Sequence, residues 1–525
     1  MALLTAAGNV VSLIHSIDWQ VLSLFGFIGM CFLWVDRQQL KGDFFYWWQE
    51  VKQASWLTYI LAFLILFIAL LKTSGPTEIP DEGEYFLPLV RWIEQYPVVP
   101  GTGLIHDRMG YNSAYHLTSA LFSQVAFFQG GLYDLNGWLF WIIHIYFLGG
   151  VNRLLRREYT YYWSDMLMVC AGIFLFRKLL TSMDADYPTN FIGLLVLIIW
   201  IKKISEKKLK WNYDALIILV LSGFLVTVKF TALFLLLFPA WILINEMIRG
   251  NKKIIPFVLL LGAYFAVPWF FRNYFLTGFL VYPLYFIDLF QPDWKIPIEV
   301  AWANYYYVEE HAKNLVVRYS YAYEGTGPLQ FWEWWPQWLI DTKKDLVGKF
   351  VLFMIPFSLV GSILSLVIKT KNQMFSRNYL LGTYLIVLIF LIFWFFKFPA
   401  IRFAWPWLLT FIVMGGLFPA LQLLKIPKNV LFLGLFGLMF FSFLRGSWKS
   451  ILENKEIQNH LIRPVEVNKL DRYTVNKLNG IPLTIADSVY CWGIDPPCMP
   501  FYYHQELELR TGNILDGFRM SNTNK

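Results

Sequence analysis

The sequence predicts an all-α polytopic membrane protein: a bundle of about twelve transmembrane helices, juxtamembrane helices on its outer face, and a small extracytoplasmic C-terminal tail domain. Three observations carry that expectation. The 525 residues are 57% hydrophobic and 19% aromatic but only 15% charged, whereas soluble domains carry roughly a quarter charged residues. Apolar runs recur near the ~20 residues needed to cross ~30 Å of hydrocarbon. The cations fall between those runs, in alternate loops. A membrane β-barrel would show short alternating segments instead.

Taken in order, spans are expected at residues 10–34, 56–72, 132–150, 160–179, 188–203, 213–228, 229–248, 254–271, 347–368, 379–396, 403–424 and 428–445. The basic loops are Arg37, Lys41 and Lys52; Arg153, Arg156 and Arg157; Lys202, Lys203, Lys207, Lys208 and Lys210; Arg249, Lys252 and Lys253; Lys369, Lys371 and Arg377; and Lys425 with Lys428. Placing them in the cytoplasm follows the positive-inside bias and leaves both termini outside. The formal charge of +8 is then topology rather than a nucleic-acid footprint. Reading 213–248 as one long helix would put RGNKK on the wrong side. Residues 113–128, SAYHLTSALFSQVAFF, are expected to lie along the outer interface, because a crossing there would carry the Lys-rich 202–210 loop outside. No cleavable leader is expected, since residues 1–16 lack a cationic start and an A-x-A-like site.

This path divides the chain into a transmembrane domain, 1–445, and a C-terminal domain, 446–525. The outer face receives the loop 73–131, the turn TSMDADYPTN at 181–190 and the long segment 273–345. Aromatic clusters such as FWEWWPQWL favour the headgroup level, with a sugar-stacking platform as a second role. In the tail, CWGIDPPC holds two cysteines around a Pro-rich turn. Cys491 and Cys498 are expected to form a disulfide, a bond that persists in oxidising compartments. A zinc site would need further ligands, and none is suitably spaced. Cys31 and Cys170 lie in apolar spans and read as packing residues.

The path returns several ionisable groups to one leaflet: Asp81, Glu82 and Glu84 in the first outer loop, then Arg108 and Asn112, Asp184 and Asp186, Lys229, Arg272 and Asn273, and Arg402. Charges at bilayer depth are costly and face protein or a wet cavity. Carboxylates on the wet side with cations at the lipid boundary suit an amphiphilic phosphate. A carboxylate would take the proton of an attacking hydroxyl, and Arg or Lys would stabilise charge on a departing phosphate. Structural roles stand beside these. Asp81 fits an N-cap as well as a base. Glu82 and Glu84 suit the first turn of a helix, Asp184 or Asp186 a turn before Pro188, and Arg272 and Lys229 the interface by snorkelling. His106 and His116 read as hydrogen-bonding residues.

At these residues the sequence resembles the GT-C-fold glycosyltransferases, multispan enzymes that use polyprenyl-phosphate sugars and include protein O-mannosyltransferases and the aminoarabinose transferase of lipid A. An acidic motif followed by tyrosine in the first outer loop matches Asp81, Glu82 and Tyr85. Pro, Arg-Asn, Gly, then Tyr-Pro matches Pro268, Arg272, Asn273, Gly278, Tyr282 and Pro283. A late Arg-aromatic followed by Pro matches Arg402, Phe403 and Pro406. More narrowly, RWIEQYPVVPGTGLIHDRMGYNS and CWGIDPPC resemble a bacterial GT-C-like family without an assigned function.

The resemblance implies a GT-C-like bundle and an inverting transfer of sugar from a polyprenyl-phosphate donor to a glycan, lipid or protein acceptor. The site would face the periplasm or outside of a bacterial inner membrane. Asp81 would be the catalytic base and Asp186 the second acid. Arg272, Lys229 and Arg402 would contact the lipid phosphate, with Glu82, Glu84, Tyr85, Arg108, Asn112, Asp184 and Asn273 as further substrate contacts. No cofactor is required; a divalent metal stays open, because Asp184-x-Asp186 resembles the Asp-x-Asp of metal-using transferases. Partners are the lipid donor, the acceptor and membrane lipids, without nucleic acid. The alternatives are a polysaccharide polymerase or ligase of different fold, and a lipid-linked glycan flippase; paired broken helices or internal repeats would favour the last.

Overall fold

A computed structural model describes all residues except 74–76, 78, 124–132, 174–176, 208, 314–329, 345, 368–374, 454–471, 479, 501–506 and 522–525. Lys208, Lys369 and Lys371 of the basic loops therefore lie outside the described residues, as does the 124–128 part of the expected interfacial helix. The chain is mostly helical. Among the described residues eight helices are long and apolar enough to cross a membrane, or nine if the bent pair Trp19–Val35 and Arg37–Lys52 counts as one span. Ala2–Val11, Tyr213–Val228 and Lys428–Ser442 are shorter apolar helices. Such lengths and compositions are those of a helical membrane protein.

Two helices form the centre. Asp186–Ser205 and Ile401–Leu421 bury 78% and 83% of their most apolar windows, against 17% for Ile254–Thr277. An apolar helix with little of its surface packed belongs against lipid, whereas one packed all round belongs in the bundle core. The central pair meets at Gly193 and Pro406, with space there for a further side-chain carbon. Around them pack Leu135–Leu155, Tyr162–Ala171, Tyr213–Val228 and the segment Phe230–Ile248. The break between the last two falls at Lys229, whose backbone is extended, so 213–248 is two helices rather than one.

Three boundaries differ from the sequence reading. The run 10–34 is not one helix: Ala2–Val11 ends at Ser12, and Trp19–Val35 starts anew where the Asp18 carboxylate accepts from the Gln20 and Val21 N–H groups. Such an N-cap satisfies donors that a continuous helix would not leave open. The segment beginning at Ser113 forms the nine-residue helix Ala114–Phe122, buried against the rest of the chain from Ala114 to Leu121. At ~1.5 Å per residue it is far too short to cross. The last helix, Lys428–Glu453, runs past residue 445.

Beyond it comes a small β region. Tyr473–Leu478 pairs antiparallel with Ile481–Ala486, which pairs parallel with Cys498–Pro500; Leu507–Leu509 pairs antiparallel with Phe518–Met520. A disulfide joins Cys491 to Cys498, both buried.

Close helix packing next to the central pair depends on small residues, as is usual in membranes. A side-chain carbon on Gly361 would overlap the Gly415 carbonyl in the π-turn Ile412–Leu417. Gly361→Ala is therefore expected to cost about 1–3 kcal/mol by overpacking, read as a lowered thermal transition of the detergent-solubilised protein.

Candidate functional site

Both central helices begin at the same place. Asp186 opens one, and Arg402 is the second residue of the other. The start of the second is fixed from outside: the Trp338 indole N–H donates to the Pro399 carbonyl at 2.9 Å and that of Trp394 to Ala400 at 2.8 Å. Arg402 Nε then lies 3.5 Å from Asp186 Oδ2. Lys229, at its helix break, pairs with Asp186 Oδ1. The Lys229 ammonium sits 3.9 Å above the Phe403 ring and the Arg402 guanidinium 5.0 Å from it. Two cations thus converge on one carboxylate around one aromatic face.

Asp184 is buried beside them and accepts the Asp186 backbone N–H at 2.5 Å. Burial raises its pKa, the adjacent Asp186 carboxylate raises it further, and Lys229 opposes both.

The segment after the helix Trp56–Thr73 brings the second group of acids. Glu82–Phe86 is a π-turn leading into the helix Leu87–Gln95, and such turns recur at functional sites. Asp81 stands at its N-cap, yet its side chain makes no capping hydrogen bond. It turns instead to Arg108, at 3.4 Å, while Glu84 takes the same guanidinium at 2.8 Å. Arg108 lies 4.8 Å from the Tyr307 ring centroid and 5.8 Å from that of Tyr85. His106 is buried between Glu84 and Asp107, 3.4 and 3.2 Å away; these two acids raise its pKa against the pull of burial.

Glu82 joins the two groups. Its Oε2 accepts the Met183 N–H at 2.9 Å. Burial, together with Asp184 and Asp81, pushes its carboxyl up to about 8 in spite of that hydrogen bond. Asp81 is also raised, burial outweighing Arg108, with Glu84 raising it further and Arg402 lowering it. The field of Arg402 thus reaches Asp81 as well as Asp184 and Asp186.

Arg272, Asn273 and Asn112 form a separate buried group. Arg272 donates to Asn112 Oδ1 at 3.2 Å and Ser12 Oγ at 2.8 Å. Asn112, in the left-handed region, exchanges hydrogen bonds with Trp269, and Asn273 donates to the Leu280 carbonyl. These residues bind the N-terminal helix to Ile254–Thr277, away from the acidic groups. His116 is buried against Tyr85 and Phe86, and burial with Arg272 nearby pulls its pKa down to about 3.

Two residues of the site have no sequence signal comparable to the acidic motif. The helix Ile298–Ala312 is anchored by Asn304, which donates to Asp107 at 2.6 Å and accepts from Tyr111 at 2.9 Å. One turn apart on it, Tyr307 and His311 stack at 5.9 Å. Partial burial lowers the His311 pKa, as do Arg402 and Arg108, while Asp81 opposes them. Only the i, i+4 spacing of an aromatic and a histidine marks the pair in the sequence. Among the described residues no three His, Cys, Asp or Glu side chains are grouped as metal ligands.

A family model described as a domain of unknown function (DUF8201) matches residues 1–409. No curated protein and no solved structure matches the chain.

The Glu82 shift has a pH signature. Its ordinary value is 4.5 and its folded value about 8, so the folded chain holds a proton that the unfolded chain releases. The stability this contributes is complete below the ordinary value and is lost as pH rises through the folded one. Glu82→Gln cannot lose that proton. The wild-type thermal transition should therefore fall more steeply than that of Glu82→Gln between about pH 5 and 8, by up to ~1.4 kcal/mol per pH unit.

Proposed function

The chain belongs to the DUF8201 family, and we propose that it is an inverting glycosyltransferase of GT-C type. It would move a sugar from a polyprenyl-phosphate donor to an acceptor at the outer face of a bacterial inner membrane. About twelve spans with the basic loops inside would complete the bundle. One observation carries this reading: Arg402 and Lys229 converge on Asp186, and Arg402 also acts on Asp81 of a different outer loop. Acid and cation meet where two central helices begin, and helix N-termini favour negative charge.

The roles follow from how far each acid is committed. Asp186 is held by two cations and buried. It sets the positions of Lys229 and Arg402, and through them the place of the donor phosphate. Asp81 shares Arg108 with Glu84, and its side chain is 43% exposed. It is reachable by an acceptor hydroxyl, and its raised pKa brings it closer to working pH, as a general base requires. Attack by the deprotonated hydroxyl on C1 breaks the bond to the phosphate oxygen and inverts the anomeric centre. Arg402, with Lys229 beside it, offsets the charge left on that oxygen. Tyr307 and Tyr85 hold Arg108 in place by their ring faces.

Asp81→Asn is expected to lower turnover by about 10²–10⁴-fold with donor binding retained. Arg402→Ala should mainly weaken donor use, by about 10–100-fold for a lost charge-assisted contact. The measurement is complementation of a deletion strain, with lipid-linked sugars quantified by mass spectrometry. Near-normal turnover in Asp81→Asn would remove it as the base. A deletion strain with unaltered lipid-linked sugars would overturn the transferase reading itself.

A further inference from the structure

The acidic turn is gripped from the far end of the chain. The Gly83 carbonyl, between Glu82 and Glu84, accepts two N–H groups, from Cys491 at 3.0 Å and Trp492 at 2.9 Å. Both donors belong to the loop that the Cys491–Cys498 disulfide closes. The Trp492 indole lies flat enough on Gly83 that a side-chain carbon there would come within 2.5 Å of the ring. At the tip of the same loop Asp495 accepts from Arg91 at 2.8 Å and from Gln95 at 2.5 Å, on the helix that continues the turn. Arg91 in turn holds Glu94 at 3.0 Å. A second contact fixes the C-terminal domain as a whole. The Phe518 N–H donates to the Pro100 carbonyl at 2.9 Å, and Arg510 pairs with Asp293 at 2.9 Å.

A π-turn carries an extra residue that ordinary helical hydrogen bonding does not stabilise. Here it also carries a buried carboxyl, Glu82, and the partly exposed Asp81. Left to itself such a turn would open towards water, since hydration would relieve the desolvation of its acids. The loop 491–498 supplies what the turn lacks: two donors to its central carbonyl, an aromatic cover and an ionic tie to the following helix.

We propose that the disulfide-closed loop 491–498 is a clip that holds the acidic turn in its working geometry, with Trp492 and Asp495 as positioning residues. None of its atoms needs to touch substrate. The clip explains why a polar tail some four hundred residues downstream lies against the acidic turn: without it Asp81 is no longer held against Arg108 and within the field of Arg402. It also makes the geometry of the turn dependent on an intact Cys491–Cys498 bond.

Carboxyl footprinting tests this without any substrate, so its result is independent of the transferase reading. The full-length protein in detergent is treated with a water-soluble carbodiimide and glycine ethyl ester, and labelling is quantified by mass spectrometry. Glu82 and Asp81 report on the turn, and Asp214 at the opposite end of the bundle is the reference. In Trp492→Ala, and in the double variant Cys491→Ser with Cys498→Ser, labelling of Glu82 should rise about tenfold, the factor corresponding to the loss of hydrogen-bonded local stability. The Asp81 labelling profile should shift towards lower pH as the turn hydrates. Trp492→Phe should restore protection. Asp495→Asn, a surface change that leaves folding intact, should give a smaller rise in the same direction. Unchanged labelling of Glu82 and Asp81 in these variants would overturn the proposal. So would an equal rise at Asp214, which signals general unfolding rather than release of the turn.

Discussion

The end of the bundle where the two central helices begin depends on Asp186. It takes Lys229 on one oxygen and Arg402 on the other; the carboxylate is buried, while the two cationic side chains are partly exposed. Removing one cation leaves the buried carboxylate with a single ionic partner. Each cation arrives on a different helix, and the carboxylate opens a third. The ion triad therefore ties the mutual height of three helices. The two indole donors on Pro399 and Ala400 then keep Arg402 from sliding out of register.

From that anchor the acidic turn Glu82–Phe86 gains its place. Met183 lies just before the acidic pair of the second turn, and its N–H holds Glu82. The two acidic loops are thus joined by a backbone donor, which costs little entropy, rather than by a flexible cation. The opposite end of the bundle uses a different solution. There Arg153 pairs with Asp165 and Arg249 with Glu246, each cation satisfied by one acid close in sequence. Local pairs of that kind stabilise loops. Among the described residues, the end that holds Asp186 is where cations from distant helices converge on the acids, and there burial with neighbouring carboxylates raises Asp81, Glu82 and Asp184.

Hydropathy and charge placement made the membrane class and most helices legible. Trp56–Thr73, Leu346–Val367 and Arg377–Lys397 agree with the expected spans to within about two residues. The break at Lys229 could be read because one unbroken helix over 213–248 would put the basic RGNKK on the wrong side. The break at Ser12 could not, since Ser12 and Asp18 are ordinary polar residues until the side chain of one caps a helix and the other meets Arg272. Asp81, Asp184, Asp186, Lys229 and Arg402 were legible as a set because the topology expected from the basic loops brings them to one side. Arg272 shared that topology but not the location: proximity along the membrane normal says nothing about position within the membrane plane. Tyr307, His311 and Trp492 were hidden for the same reason. Their neighbours are set by packing between segments about two to four hundred residues apart, which no local pattern encodes.

The acids of the site also differ in what they can do, and the difference is set by their partners rather than by their identity. Asp186 is bound on both oxygens, by Lys229 on one and Arg402 on the other. Glu82 sits at the other limit: buried, close to two other acids and held by one N–H, it keeps its proton up to about 8. A protonated Glu82 places no third negative charge between Asp81 and Asp184, and this lets those two stay closer to ionisation than three neighbouring carboxylates would allow. Asp81 alone combines a single guanidinium shared with Glu84, partial exposure and the distant pull of Arg402. Of these acids it is the one that, on the proposed reading, would exchange a proton with an incoming group while the Asp186 ion triad stays intact.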